Sequence, residues 1–210
     1  MKAQIELFAL TKFAMIFFIF ALSAILVSYG DREKSALCNS RAEFIAQGIG
    51  ASFTQVINSP AEDERKIVPL ETVLSSSSND FARYNITIFN RAPDKKTLII
   101  TVKSNTQGCQ GGASVGYPEE NFELHYNDVG NRFSDNDNLN LTPSNTFSER
   151  SRYLILLKCS EKELTAGASV KHLFIEDCNA EKPSDCVLNF NDAFLTGLGK
   201  KCAFPDINSV

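Results

Sequence analysis

Several groups of residues in this 210-residue chain have the types and spacing of chemical sites. Gly112-Ala113-Ser114-Val115-Gly116 matches the G-x-S-x-G nucleophile elbow, a strained strand-to-helix turn that presents the serine hydroxyl to a histidine base. That chemistry requires an apolar strand before Ser114 and a helix after it. Here the polar run Ser104 to Gly111 precedes the motif and Tyr117-Pro118 follows it, so hydrolysis at Ser114 is a poor fit. His125 and His172 each sit in an alternating strand pattern, which predicts surface or cross-strand side chains rather than a catalytic base. With two histidines, no Cys-x-x-Cys and no His-x-x-x-His, zinc-site spacing is lacking and no metal or other cofactor is expected. The oxygen-rich run Asp135 to Asn140 resembles a calcium loop in composition only. Leu139 takes the third ligand position and no glycine follows it, so a solvated loop is expected.

The six cysteines, Cys38, Cys109, Cys159, Cys178, Cys186 and Cys202, are the remaining reactive groups. No redox motif accompanies them, and structural disulfides in an oxidising compartment are the expectation. Fifteen complete pairings exist and spacing does not choose among them. Cys178 and Cys186 are near enough for a local loop, and a bridge from Cys38 would staple a helix to the rest of the chain. Lys plus Arg number 21 against 25 Asp plus Glu, a net charge of −4 with no basic block, so nucleic acid is excluded as a partner.

The elements that would carry these groups are of two kinds. Phe13 to Tyr29 is a run of 17 residues without a charge, and Leu7 to Tyr29 includes only Lys12. As a helix, that stretch spans roughly 35 Å, enough to cross a bilayer core of about 30 Å. Lys2, Lys12 and the terminal amine outweigh Glu6 on one flank, while Asp31 to Lys34 is balanced. The positive-inside rule then places the amino terminus in the cytoplasm and the remainder outside. Asn85-Ile86-Thr87 and Asn140-Leu141-Thr142 are glycosylation sequons consistent with that side. A cleaved secretory signal ending near Ser28-Tyr29-Gly30 is the competing expectation. Against it, the helical pattern continues. Leu37, Ala42, Ile45, Ile49, Phe53 and Val56 recur at helical intervals, widened by Phe44 and Ser52, until Asn58-Ser59-Pro60 ends the pattern. One helix from about Gln4 to about Ile57 is predicted, its second half packed on a globular head.

From residue 58 onward the pattern is that of strands: Ile67 to Leu74, Tyr84 to Phe89, Leu98 to Val102, Phe122 to Tyr126, Tyr153 to Leu157, Lys171 to Ile175 and Val187 to Phe190. The second and third form an antiparallel hairpin. Ser75 to Ser78 and Asp128 to Ser148 read as loops, and Ala193 to Leu198 as a short helix. The fold class is therefore α+β: a long amino-terminal helix, membrane-embedded over about 7–29, packed on an antiparallel β-sheet head with disulfides.

The opening residues MKAQIELFAL, followed by this apolar run, resemble the class III signal of archaeal type IV pilin-like proteins. Lys2, Ala3 and Gln4 match the positions where a prepilin peptidase cuts before the Gln, and the head's VPLETVL, YNITI and LIITV segments are similar in pattern to the globular part of that family. The resemblance implies a leader at 1–3, a helix at 4–57 and an extracellular head at 58–210. It also implies a structural rather than enzymatic role. Partners would be the lipid bilayer before assembly, a membrane assembly platform, and other pilin-like subunits in a homo- or hetero-filament. Glu6 would stand third in the mature chain, where the family usually carries its acid fifth. In a filament Glu6 could pair with a neighbour's terminal amine, and Phe8, Phe13, Phe17 and Phe20 would supply helix-to-helix contact. The alternative from another class is a membrane-anchored or secreted, disulfide-containing binding module that does not self-assemble.

Overall fold

A computed structural model of the chain describes residues 2–61, 64–71, 83–91, 96–105, 108–118, 122–126, 131–132, 138–143, 151–161, 170–180 and 182. Backbone alone is described for residues 2–9, 31, 131–132, 151, 160–161 and 179. Helix α1 spans Lys2–Asn58 without a break. Its 57 residues give a rod of roughly 85 Å. Among the described residues nine strands follow: β1 Glu64–Leu70, β2 Tyr84–Arg91, β3 Thr97–Ser104, β4 Gln110–Gly116, β5 Phe122–Tyr126, β6 Asn131–Arg132, β7 Asn138–Leu141, β8 Ser151–Glu161 and β9 Val170–Ala180. They form two sheets, one ordered β1-β8-β9-β5-β6 and the other β4-β3-β2-β7.

The expected antiparallel sheet needs correction in two respects. The head has two sheets rather than one, and β5 pairs with β9 in parallel. All other pairs among the described strands are antiparallel, including the predicted β2–β3 hairpin. Parallel neighbours cannot be joined by a tight turn, so this pair unites segments far apart in the chain, which local patterning does not reveal. Strand β4 was not anticipated because glycine-rich segments have low strand propensity. Strands β6 and β7 lie within the stretch read as one long loop. Strand β1 starts three residues earlier than expected and ends at Leu70, its Pro69 tolerated because β1 is an edge strand. The expected strand at Val187 to Phe190, the helix at Ala193 to Leu198, the serine loop and Asp135 to Asp137 fall outside the described residues.

Alternation along the strands builds the core. Ile86 and Ile88 of β2, Leu98, Ile100 and Val102 of β3, and Leu139 and Leu141 of β7 turn inward from one sheet. Leu124, Leu154, Leu156, Leu173 and Ile175 turn inward from the other. The carboxy-terminal half of α1 joins the same cluster through Cys38, Ala42, Ile45, Ala46, Ile49, Phe53, Val56 and Ile57. Of the eight residues assigned to this stripe, five lie in the cluster, Ser52 is buried as well, and two are not buried. Leu37 and Phe44 are 66% and 67% exposed, because each sits one residue, or about 100°, from the helical line that faces the sheet.

A cation marks the end of α1. The buried Lys158 extends its Nζ to donate to the Ser59 carbonyl at 2.6 Å, just beyond the last helical turn where carbonyls lack partners and the helix dipole is negative. Lys158→Met preserves the packing stem and removes the donor. It is expected to cost about 1–3 kcal/mol, read as a lower guanidinium midpoint at unchanged slope. Elsewhere, Tyr84 donates its hydroxyl to the Glu71 carbonyl, and burial, followed by the Glu71 charge, raises its pKa. Arg152 pairs with Asp177 and also donates to the Thr142 carbonyl at 2.9 Å, tying β8 and β9 to the end of β7 across the two sheets.

Candidate functional site

The functional features lie in three places: the free half of α1, the seam where α1 meets β4, and the far face of the five-stranded sheet. Along α1, the large apolar side chains from Leu10 to Val27 are exposed in the described structure, and Phe13, Phe17 and Phe20 are each more than two-thirds exposed. This helix is long and apolar enough to cross a membrane, and its apolar window is entirely unburied. Lys2, Ala3, Gln4, Glu6 and Phe8 lie in its first turns, where the helix already begins at Lys2 rather than Gln4; their side chains fall outside the described ones.

At the seam, the glycine just before the would-be nucleophile elbow serves a packing purpose. Gly111 meets the helix backbone directly: a Cβ there would lie 2.1 Å from the Glu43 nitrogen. The next residues run on as strand β4, with Ser114 exposed opposite Ile99. No strand-turn-helix surrounds it, and both histidines belong to the other sheet. Cys38 and Cys109 are disulfide-bonded across this seam, and Asn39 accepts a 2.9 Å hydrogen bond from the Gln110 backbone N–H beside them. The staple expected from Cys38 is therefore present.

Cys159 and Cys178 are disulfide-bonded as well. They stand opposite His172 and Tyr153 in the β8–β9 register, six residues apart along the ladder, too far to bridge each other. Cys186 and Cys202 lie outside the described residues. The two sequons share adjacent strands. Thr87 of the first donates to the Asn140 side-chain oxygen of the second at 2.9 Å, with Asn140 exposed and Asn85 half-buried.

The third place was missed from the sequence. On the sheet face that turns away from α1, the parallel β5–β9 register sets Glu123 opposite His172 and His125 opposite Phe174. Both histidines are buried, and His125 Nε2 lies 3.0 Å from His172 Nδ1. Glu123 Oε2 is 3.7 Å from each of those nitrogens. The Phe174 ring stacks near both imidazoles, with centroids 4.9 and 6.2 Å away. The reading against a metal site used spacing along the chain, whereas these residues meet across a sheet. Glu-x-His within FELHY was the available signal, since alternation puts both side chains on one face. Nothing local pairs that face with His172.

Compared with protein-family models, with curated proteins and with solved structures, the chain matches none.

Proposed function

We propose that this chain is a structural subunit of a type IV pilus-like surface filament or secretion apparatus, assembling through the amino-terminal half of α1. The observation that carries the reading is a contrast within one unbroken helix. Cys38 to Ile57 is seated on the head, while Leu10 to Val27 presents large apolar side chains that no described part of the chain buries. Burying one such side chain is worth about 1.5–3 kcal/mol, so a run of this length in water is untenable and demands lipid or other helices. Lipid meets the demand before assembly and sister helices afterwards, with Phe13, Phe17 and Phe20 as broad contact surfaces. Exposed Leu37 and Phe44 extend the apolar surface past the charged segment Asp31 to Lys34, which favours packing against protein over lipid alone.

In this reading a prepilin peptidase removes residues 1–3 before Gln4, the amino terminus faces the cytoplasm, and the head folds outside. The disulfides of the head agree with an oxidising exterior. Glu6 pairs with a neighbour's terminal amine, and glycans at Asn85 and Asn140 decorate the outer sheet face. An assembly platform supplies the work of extraction, and the subunit itself performs no catalysis.

Intact mass and amino-terminal sequencing of native protein test this. A chain starting at Gln4 and recovered in polymers is the expected result. A start near Asp31 points instead to a secreted binding module, and an intact Met1 in unpolymerised material to a plain membrane anchor. Every described core residue of the helix lies at or beyond Cys38, so deletion of residues 2–29 is expected to leave a folded head that light scattering finds soluble and monomeric.

A further inference from the structure

We propose that Glu123, His125 and His172 form a binding site for one zinc-class divalent cation, which clamps the parallel β5–β9 pair. Three atoms define it: His125 Nε2, His172 Nδ1 and Glu123 Oε2, separated by 3.0, 3.7 and 3.7 Å. The point equidistant from them lies about 2.0 Å from each, the length of a zinc–imidazole or zinc–carboxylate bond. The carboxylate oxygen is beyond hydrogen-bond reach of either nitrogen yet equally far from both. The 3.0 Å contact is a hydrogen bond between the two imidazoles, which an ion at the central point would replace with bonds to both nitrogens and to the carboxylate. The only two histidines in the chain, 47 residues apart, converge at this spot.

The donor set selects the metal. Two imidazole nitrogens and one carboxylate suit zinc, cobalt, nickel or copper, while magnesium and calcium prefer all-oxygen shells. Access is from one side, since the imidazoles are buried and the Glu123 side chain is 33% exposed. A fourth position would open there, to water or another donor. Phe174 shields the rings and keeps the local dielectric low, which strengthens attraction of a cation to the carboxylate. The clamp falls near an edge of the described sheet: β5 has five residues, and the two-residue β6 lies beyond it. The site belongs to the head and is independent of whether the chain assembles.

The full chain, in detergent with disulfides intact and freed of metal by chelation, is titrated with zinc chloride by calorimetry and with cobalt chloride by visible absorption. One equivalent of zinc per chain, a thermal midpoint several degrees higher, and cobalt bands of low-coordinate intensity are expected. Glu123→Gln should weaken zinc binding at least tenfold, and His172→Gln should abolish the cobalt bands. Lack of stoichiometric uptake overturns the site, leaving a metal-free histidine pair. Uptake that Glu123→Gln leaves unchanged overturns it equally. Because Glu123 is partly exposed, that variant decides the matter even if His172→Gln fails to fold.

Discussion

Gly111→Ala is expected to destabilise the head by about 3 kcal/mol or more, beyond the usual range for overpacking. The added methyl would sit 2.1 Å from the Glu43 nitrogen and 2.4 Å from both the Ala42 carbonyl carbon and Glu43 Cα. All three are backbone atoms of α1, so no side-chain rotation relieves the collision. The helix would have to lift from β4 by more than an ångström, thinning the contacts of Ile45, Ile49 and Phe53 beneath it. Against a typical domain stability of about 5–15 kcal/mol, that is a large fraction. A fall in thermal midpoint of about 6–12 °C, followed by circular dichroism of the full chain in detergent, is the expected size. Gly112→Ala is the internal control. A Cβ there meets nothing closer than the Ile100 carbonyl oxygen at 3.4 Å, so its effect should be small. Equal losses at the two glycines would mean that strand propensity, not proximity to the helix, dictates the residue.

Replacing Cys38 and Cys109 together by serine is expected to cost about 4 kcal/mol in the chain-entropy account, because the bridge closes a loop with a sequence separation of 71 residues. Both cysteines are also buried, at 2% and 1% exposure, so the serine hydroxyls add a polar burden. The double variant is preferable to a reductant, which would also attack the bridges at Cys159 and Cys178. Hydrogen exchange should localise the change: amides of residues 38–58 of α1 lose protection before those of β8 and β9. Uniform loss across the head would argue that helix and sheets unfold as one unit whether or not they are tied. The Cys38–Cys109 bridge and Gly111 share one seam, so the triple variant should depart from additivity. Once the helix is untied, it can retreat from an added methyl at lower cost.

Both effects trace to the same few residues, and those residues were read for other purposes in the sequence. Gly111 stood just before a serine-hydrolase motif, and the motif is part of a strand that Gly111 fits against the helix. The recurrence of small residues was visible, but a close approach of two backbones involves segments about 70 residues apart and leaves no local periodicity. Leu37 and Phe44 show the converse. Their spacing fits a helix equally well on either face, and only the contact with β4 decides which face is covered.

What the sequence determined by itself are the features set by neighbours in the chain. The uncharged run from Phe13 to Tyr29 specifies an apolar helix of membrane-spanning length, Asn58-Ser59-Pro60 ends it, and the alternation in Tyr84–Arg91 and Thr97–Ser104 makes two strands and their hairpin. Propensity, period and proline sterics act over a few residues, so they are written where they act. The tertiary structure alone decided that the strands divide into two sheets, that β5 runs parallel to β9, that Cys38 joins Cys109, and that Glu123, His125 and His172 face one another. Each of these is a meeting of distant segments, chosen by which apolar faces can be buried together, and a one-dimensional pattern does not say which of its faces will meet.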